Sequence, residues 1–281
     1  MKVINFEDKD FSYEFYKSFK EHGIAIIDNH GIDLMLYKKV QHEWSQFFAS
    51  NDKHKYDFKG LKDEGYIPPC SVEKCLESEQ VERDLKELAH FYSERLPAEI
   101  SCNHNILQQQ MMSVALICCQ ALDEITPQKV FKSDNRSFYD MINQAKKTCL
   151  RVNHYLQKNP CVSKFICAAH KDINFITLLL TNNDAMIQSK DRKGKWLNVP
   201  CDKPYLIVNS GETLEAITDS HFPSNVHRVL NPHSHQQTSR VSMAFLTHAH
   251  CDVQIPGYKN TEDYVKQKLS KIGFNFECLN F

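Results

Sequence analysis

From about residue 150 onward, short apolar runs alternate with turn signals, and this rhythm limits the fold more than any other feature of the chain. Phe175-Ile176-Thr177-Leu178-Leu179-Leu180, Met186-Ile187-Gln188, Trp196-Leu197-Asn198-Val199, Leu206-Ile207-Val208 and Val241-Ser242-Met243-Ala244-Phe245-Leu246 each read as a strand. Asn182-Asn183-Asp184, Lys193-Gly194-Lys195 and Asn209-Ser210-Gly211 separate them with turn-forming residues. Many short strands at this spacing predict a double-sheet barrel or jelly roll.

The first half has a different pattern. Residues 9–22 and 31–50 place apolar side chains at helical spacing, as in Leu34, Tyr37, Val40, Trp44, Phe47 and Phe48. Gly23-Ile24-Ala25-Ile26-Ile27 between them is β-prone, and residues 77–92 and 105–123 read as helical again. The tail near 261–271 is helical too. With no linker or repeat, the expectation is one domain over 1–281. A helix-rich part (1–145) supports a β core (146–255), followed by a helical tail (256–281). The fold class is α+β with a mainly β core.

Net charge of −1 gives no global pull toward nucleic acid or a membrane surface, so neither is expected as a partner. The densest cationic stretch, Lys190–Lys195, reads as a solvated hairpin turn. No apolar segment approaches membrane-spanning length, and the start lacks a secretory pattern, so the expected location is cytoplasmic. Eleven scattered cysteines without a Cys-x-x-Cys pair read as reduced thiols. Cys118-Cys119 is expected in the core.

Chemistry enters with His170-Lys171-Asp172. On a strand, residues two apart share a face, so an imidazole and a carboxylate can reach one ion. His227, far along the chain, supplies a second imidazole. Two His and one carboxylate on one side of an octahedral ion leave positions open for a co-substrate and dioxygen, a donor set that suits iron(II). His-x-Asp alone is weak evidence among fourteen His, and His250-Cys251-Asp252 has the same spacing. That second pair has too little chain after it for a distal His. His221, His233 and His235 are assigned to solvated loops. Arg240-Val241-Ser242 also has period two, putting a guanidinium fork and a hydroxyl on one face, a fit for a carboxylate.

These residues carry a resemblance. Glu21–Gly31, with its Asn29-His30-Gly31 turn, Phe47-Phe48 followed by Lys53, Gly65-Tyr66 and Asp84-Leu85-Lys86-Glu87 resemble the N-terminal region of the isopenicillin N synthase-like branch of the 2-oxoglutarate- and iron(II)-dependent dioxygenases. His170–Leu179, Lys195–Pro200, Val208–Glu212, His227-Arg228-Val229 and Arg240-Val241-Ser242 resemble its barrel. The resemblance implies a double-stranded β-helix (jelly roll) with flanking helices. It also implies iron(II) on His170, Asp172 and His227, and 2-oxoglutarate anchored by Arg240, Ser242, Tyr155 and Asn153. The implied activity is O2-dependent hydroxylation, desaturation or cyclisation of a small organic substrate, releasing succinate and CO2. Asn153-His154-Tyr155-Leu156 and Lys171 depart from the family pattern; His154 is expected to point away from Tyr155, and Lys171 away from the metal. Arg240 and Ser242 equally suit an oxidase that uses no 2-oxoglutarate and binds its substrate's own carboxylate there. Asn153 beside Tyr155 favours 2-oxoglutarate. A zinc hydrolase leaves Arg240 and Ser242 without a purpose, and a vestigial binding barrel would not need the complete set.

Overall fold

In the computed structural model of the chain, residues 1–58, 64–69, 86–92, 95–131, 134–156, 165–181, 186–230 and 239–271 are described. Among them Val241, Met243 and Phe245 are buried against helices, while Arg240, Ser242 and Ala244 on the same strand take the opposite face. That alternation organises the fold. One face of a large sheet carries the helices, and the other meets a second sheet.

The elements run β1 (Val3–Asn5), α1 (Phe11–His22), β2 (Ile24–Asp28), α2 (Leu34–Ala49), β3 (Gly65–Ile67), β4 (Lys86–His90), α3 (Ala98–Ile125), α4 (Phe138–Ile142), β5 (Cys149–Tyr155) and β6 (Phe165–His170). Then come β7 (Ile176–Leu180), β8 (Ile187–Lys190), β9 (Trp196–Asn198), β10 (Leu206–Ser210), α5 (Glu212–Ile217), β11 (His227–Leu230), β12 (Arg240–Thr247) and α6 (Thr261–Lys271). The large sheet has the order β1-β2-β10-β7-β12-β5-β4-β3, and the small one β6-β11-β8-β9. Ile24, Ile26, Tyr155 and Ile207 from the large sheet pack with Cys167, Ile187 and Val229 from the small one. This two-sheet, mainly β core is the jelly roll that the strand rhythm predicts.

The helices form for local reasons. α1 buries Phe11, Phe15 and Phe19, spaced one turn apart, and ends at Gly23. Gly23 has φ 66°, and a Cβ there would lie 2.1 Å from the Pro223 carbonyl oxygen, so only glycine lets the chain turn into β2. The Asp33 carboxylate caps α2 by accepting from the Met35 and Leu36 amides. α2 then buries Tyr37, Val40, Trp44, Phe47 and Phe48 against the large sheet. Cys118 and Cys119 are fully buried in α3, as expected. No helix among the described residues is long and apolar enough to cross a membrane.

Two expectations need correction. Residues 86–90 form strand β4, not helix; residues 77–85 lie outside the described residues, as do Asn182–Asp184 and the tail beyond 271. Helical periodicity over that stretch is outweighed by pairing of β4 with both β3 and β5. Pairing fixes the side chains of 86–90 by period two. Glu87 faces the helices, where it accepts from Lys53 Nζ (2.9 Å) and Tyr66 and contacts His154 Nδ1 (2.7 Å). His154 also stacks on Phe48, so it points away from Tyr155, as expected. Secondly, His221 lies in a loop, as expected, but it is half-buried rather than solvated. It bonds Tyr16 and packs on Phe222. His233 and His235 are outside the described residues.

Glu87 gives a stability prediction. Burial pushes its carboxyl up, but His154, Tyr66 and Lys53 outweigh that and hold it at about 2. Glu87→Ala leaves Lys53 facing a buried site without its carboxylate, and should cost about 3 kcal/mol in denaturant unfolding. A folded pKa below the unfolded one means the stabilisation is present above about pH 4.3 and drains away as pH falls toward 2. An acid-unfolding curve for Glu87→Gln that overlays the parent would show this reading to be wrong.

Candidate metal centre

His170 ends β6 and His227 begins β11, and the two are cross-strand partners in the small sheet. Their ring centroids lie 4.4 Å apart. Asp172 is not on the same strand as His170, which corrects the i, i+2 strand argument. β6 stops at His170, and Asp172 lies in the connection to β7. Its position is set by backbone bonds instead. The Glu212 amide, at the start of α5, donates to the Asp172 carbonyl (2.7 Å), and the Thr213 amide and hydroxyl donate to Ile173 O (3.2 and 2.7 Å). Gly211 permits this docking, since a Cβ there would sit 1.9 Å from the Asn174 carbonyl oxygen.

The result is a cluster in which His170, Asp172 and His227 each bring one donor atom within 4.8 Å of the others. Backbone carbonyls orient both rings: His170 Nδ1 bonds Ala168 O (2.8 Å), and His227 Nδ1 lies 3.3 Å from Asn225 O. Each Nδ1 is thereby committed, which leaves Nε2 as the ligating atom. His170 Nε2 is 3.7 Å from Asp172 Oδ1. The other carboxylate oxygen, Oδ2, accepts from Thr177 Oγ1 at 2.6 Å, which fixes the carboxylate plane. Two imidazoles and one monodentate carboxylate converging from one side can hold a divalent cation and leave its other positions open.

The electrostatics suit Asp172 and His227 as ligands; at His170 burial pushes the ring down, but Cys167 and Asp172 outweigh it and push it up to about 10, so a cation there must displace a proton. Burial raises the Asp172 carboxyl, but His227, His170, Thr177 and Arg151 together hold it below its ordinary range. The carboxylate is therefore ionised and ready to ligate. Burial, then the neighbouring His170, push His227 down. A low proton affinity keeps that ring neutral, as a metal requires. Lys171 turns away, as expected, and pairs with Glu215 of α5 at 3.1 Å.

The carboxylate-binding residues lie on neighbouring strands in register. Arg240 of β12 faces Tyr155 of β5, and Ser242 faces Asn153. All four share the face of the large sheet turned toward the small one, and the Arg240 guanidinium lies 5.3 Å from the Tyr155 ring centroid. The second His-x-Asp pair goes elsewhere: His250 Nε2 bonds Asn143 O and Asp252 pairs with Arg136. Phe91, Phe175 and Phe245 are core residues. Tyr92 is not; it meets His90 Nε2 (3.1 Å) and carries Lys147 over its ring.

Sequence reasoning missed several residues on this inner face. Thr177 holds Asp172. Lys86 lies across from Tyr155, with Nζ 3.8 Å from Cys167 Sγ. Arg151 Nε donates to His90 Nδ1 (3.1 Å). Burial, then the charges of Arg151, His248 and Lys147, push His90 well down. Burial, then Arg151 and Lys147, hold His248 at about 4. One signal was available: Arg151, Asn153 and Tyr155 are spaced by two.

Comparison with known proteins places this geometry in context. The 2OG-Fe(II) oxygenase superfamily model matches residues 146–249, and that of the non-haem dioxygenase in morphine synthesis N-terminal region matches residues 2–110. The chain is 26% identical over 255 residues to gibberellin 2-beta-dioxygenase 1 of Arabidopsis thaliana, covering 86% of this chain and 76% of that protein. A crystal structure described as a candidate oxygenase from Shewanella oneidensis superposes with TM-score 0.86 at 29% identity, covering 98% of this chain and all of that one. A full-length Neurospora crassa protein in complex with alpha-KG has TM-score 0.78 at 18% identity over 96% of each chain, a likeness of fold.

Proposed function

Given that the chain belongs to the 2OG-Fe(II) oxygenase superfamily and is an iron(II)- and 2-oxoglutarate-dependent dioxygenase of a small molecule, we propose that His170, Asp172 and His227 hold the iron. We further propose that Arg240, Ser242, Tyr155 and Asn153 hold the far carboxylate of 2-oxoglutarate. The overall reaction consumes substrate, O2 and 2-oxoglutarate and yields hydroxylated substrate, succinate and CO2. The iron supplies the oxygen chemistry when bound.

The observation that carries this reading is the convergence of the three donors within 4.8 Å beside a paired Arg-Ser and Asn-Tyr face. The residues do the positioning. Ala168 and Asn225 carbonyls keep both Nε2 atoms aimed at one point, and Thr177 keeps one oxygen of Asp172 turned there. Arg240 supplies a fixed charge in a partly dry cleft, where a carboxylate bond is stronger than in water. Tyr155 and Asn153 add neutral donors on the same face.

The test is anaerobic titration of the iron(II) protein with 2-oxoglutarate. A visible charge-transfer band should rise and saturate at one equivalent, and succinate should form in step with substrate loss in air. Iron bound without a band, together with substrate oxidation that needs no 2-oxoglutarate, would refute the assignment of the anchor.

A further inference from the structure

The basic turn between β8 and β9 does not stand alone in the fold. The Asp191 amide donates to Lys195 O (2.9 Å), and the Asp191 carboxylate accepts from the Lys193 and Lys195 amides (2.9 and 2.8 Å). The turn is therefore closed from within. The Arg192 guanidinium then donates to the Lys20 carbonyl in the last turn of α1. Helix ends leave such carbonyls without a partner in the helix, so this bond has a clear local reason. It fastens the basic turn to the end of α1.

Between α1 and the turn lies a groove of about 610 Å³. Its walls carry four cations, Lys17 and Lys20 from the helix and Arg192 and Lys193 from the turn, and two tyrosines, Tyr13 and Tyr16. The two wall carboxylates are engaged elsewhere. Asp191 holds the turn amides, and Glu21 lies 3.7 Å from His22 Nε2. Among the described residues, none of the four cations pairs with a carboxylate; Lys20 Nζ meets only the Tyr16 hydroxyl at 3.5 Å and its ring. Tyr13 is 55% exposed, so its ring stands open to a partner. No wall residue is a metal donor or an anchor residue, so the groove is separate from the metal centre.

We propose that this groove binds a phosphate ester of nucleotide size, with its phosphate on Lys17, Lys193 and Arg192 and its ring on Tyr13. A cleft lined by one sign of charge concentrates the opposite sign. Cations from two elements face one space, and a phosphate monoester carries close to two negative charges at neutral pH. A single carboxylate would balance fewer of them. Lysines meet phosphate as point charges, and the remaining N–H groups of Arg192 offer it a planar fork. The volume suits one small molecule, and an exposed phenol ring is a stacking platform for a base.

The test is calorimetric titration of the full chain, loaded with iron(II) and saturated with 2-oxoglutarate under anaerobic conditions so that the metal centre is filled. AMP should bind at one equivalent, and adenosine and inorganic phosphate each at least about tenfold more weakly. Exposed charge pairs contribute up to about 1 kcal/mol each, so the double variant Lys17→Gln, Lys193→Gln should weaken AMP by at least about tenfold. All four cations are exposed, so the melting temperature of that variant should match the parent. Tyr13→Ala should bring AMP down toward phosphate. AMP binding that is undetectable at millimolar concentration would overturn the proposal, as would a double variant that binds AMP like the parent. Phosphate matching AMP would mean an adventitious ion only and would also overturn it. Binding of an RNA oligomer or of vesicles containing phosphatidic acid, without binding of AMP, would overturn it in favour of a polymer or a membrane surface.

Discussion

Asp172→Ala is expected to abolish turnover, lowering 2-oxoglutarate-dependent succinate release by at least about 10³-fold, because a metal centre contributes several kcal/mol to the reaction. The carboxylate is the only anionic donor among the three candidate ligands. Without it, two neutral imidazoles face the cation and the charge balance of the site changes by one unit. The fold should survive. Asp172 lies past the end of β6, and its loop is tied by backbone bonds from Glu212 and Thr213, which the substitution leaves in place. The far-ultraviolet spectrum and the melting temperature should therefore stay near those of the parent while iron content after reconstitution collapses. Native iron affinity in this variant would rule out Asp172 as a ligand.

Arg240→Met should weaken 2-oxoglutarate binding by about 10²-fold, read as the dissociation constant from the charge-transfer titration. Each hydrogen bond to a charged partner is worth about 1.5–3 kcal/mol, and a bidentate guanidinium makes two. Iron affinity should not change, since Arg240 stands on β12 and the ligands on β6, β11 and the loop before β7. Arg240→Lys should recover part of the loss, as it keeps the charge but not the planar fork. Unchanged 2-oxoglutarate affinity in Arg240→Met would move the anchor elsewhere, and Arg151 would be the next residue to substitute.

Asp172 and Arg240 were both found by a period of two, and the reasons differ. For Arg240-Val241-Ser242 the period is real: they lie on β12, and the alternation is visible in burial. For His170-Lys171-Asp172 the spacing is right and the cause is not. The strand ends at the first residue, and the carboxylate is aimed by Thr177 and by α5 through Gly211. Lys171 still points away, because its ammonium is drawn to Glu215 rather than by strand geometry. The helical reading of 77–92 failed over 86–90 because a strand buried on both faces, with all five residues covered, carries no clean alternation.

Local sequence alone determined the jelly roll rhythm, helices α1, α2 and α3, and the pairing by two within Arg240-Val241-Ser242, since each depends on neighbours a few residues apart. Tertiary structure decided the rest. It brings His227 against His170 across two paired strands, sets Arg240 opposite Tyr155, and gathers Arg151, His90, Lys147 and His248 on one flank. None of these contacts is encoded by spacing. They arise from which strands pair and in what register, and burying the two sheets' apolar faces against each other and the helices fixes both.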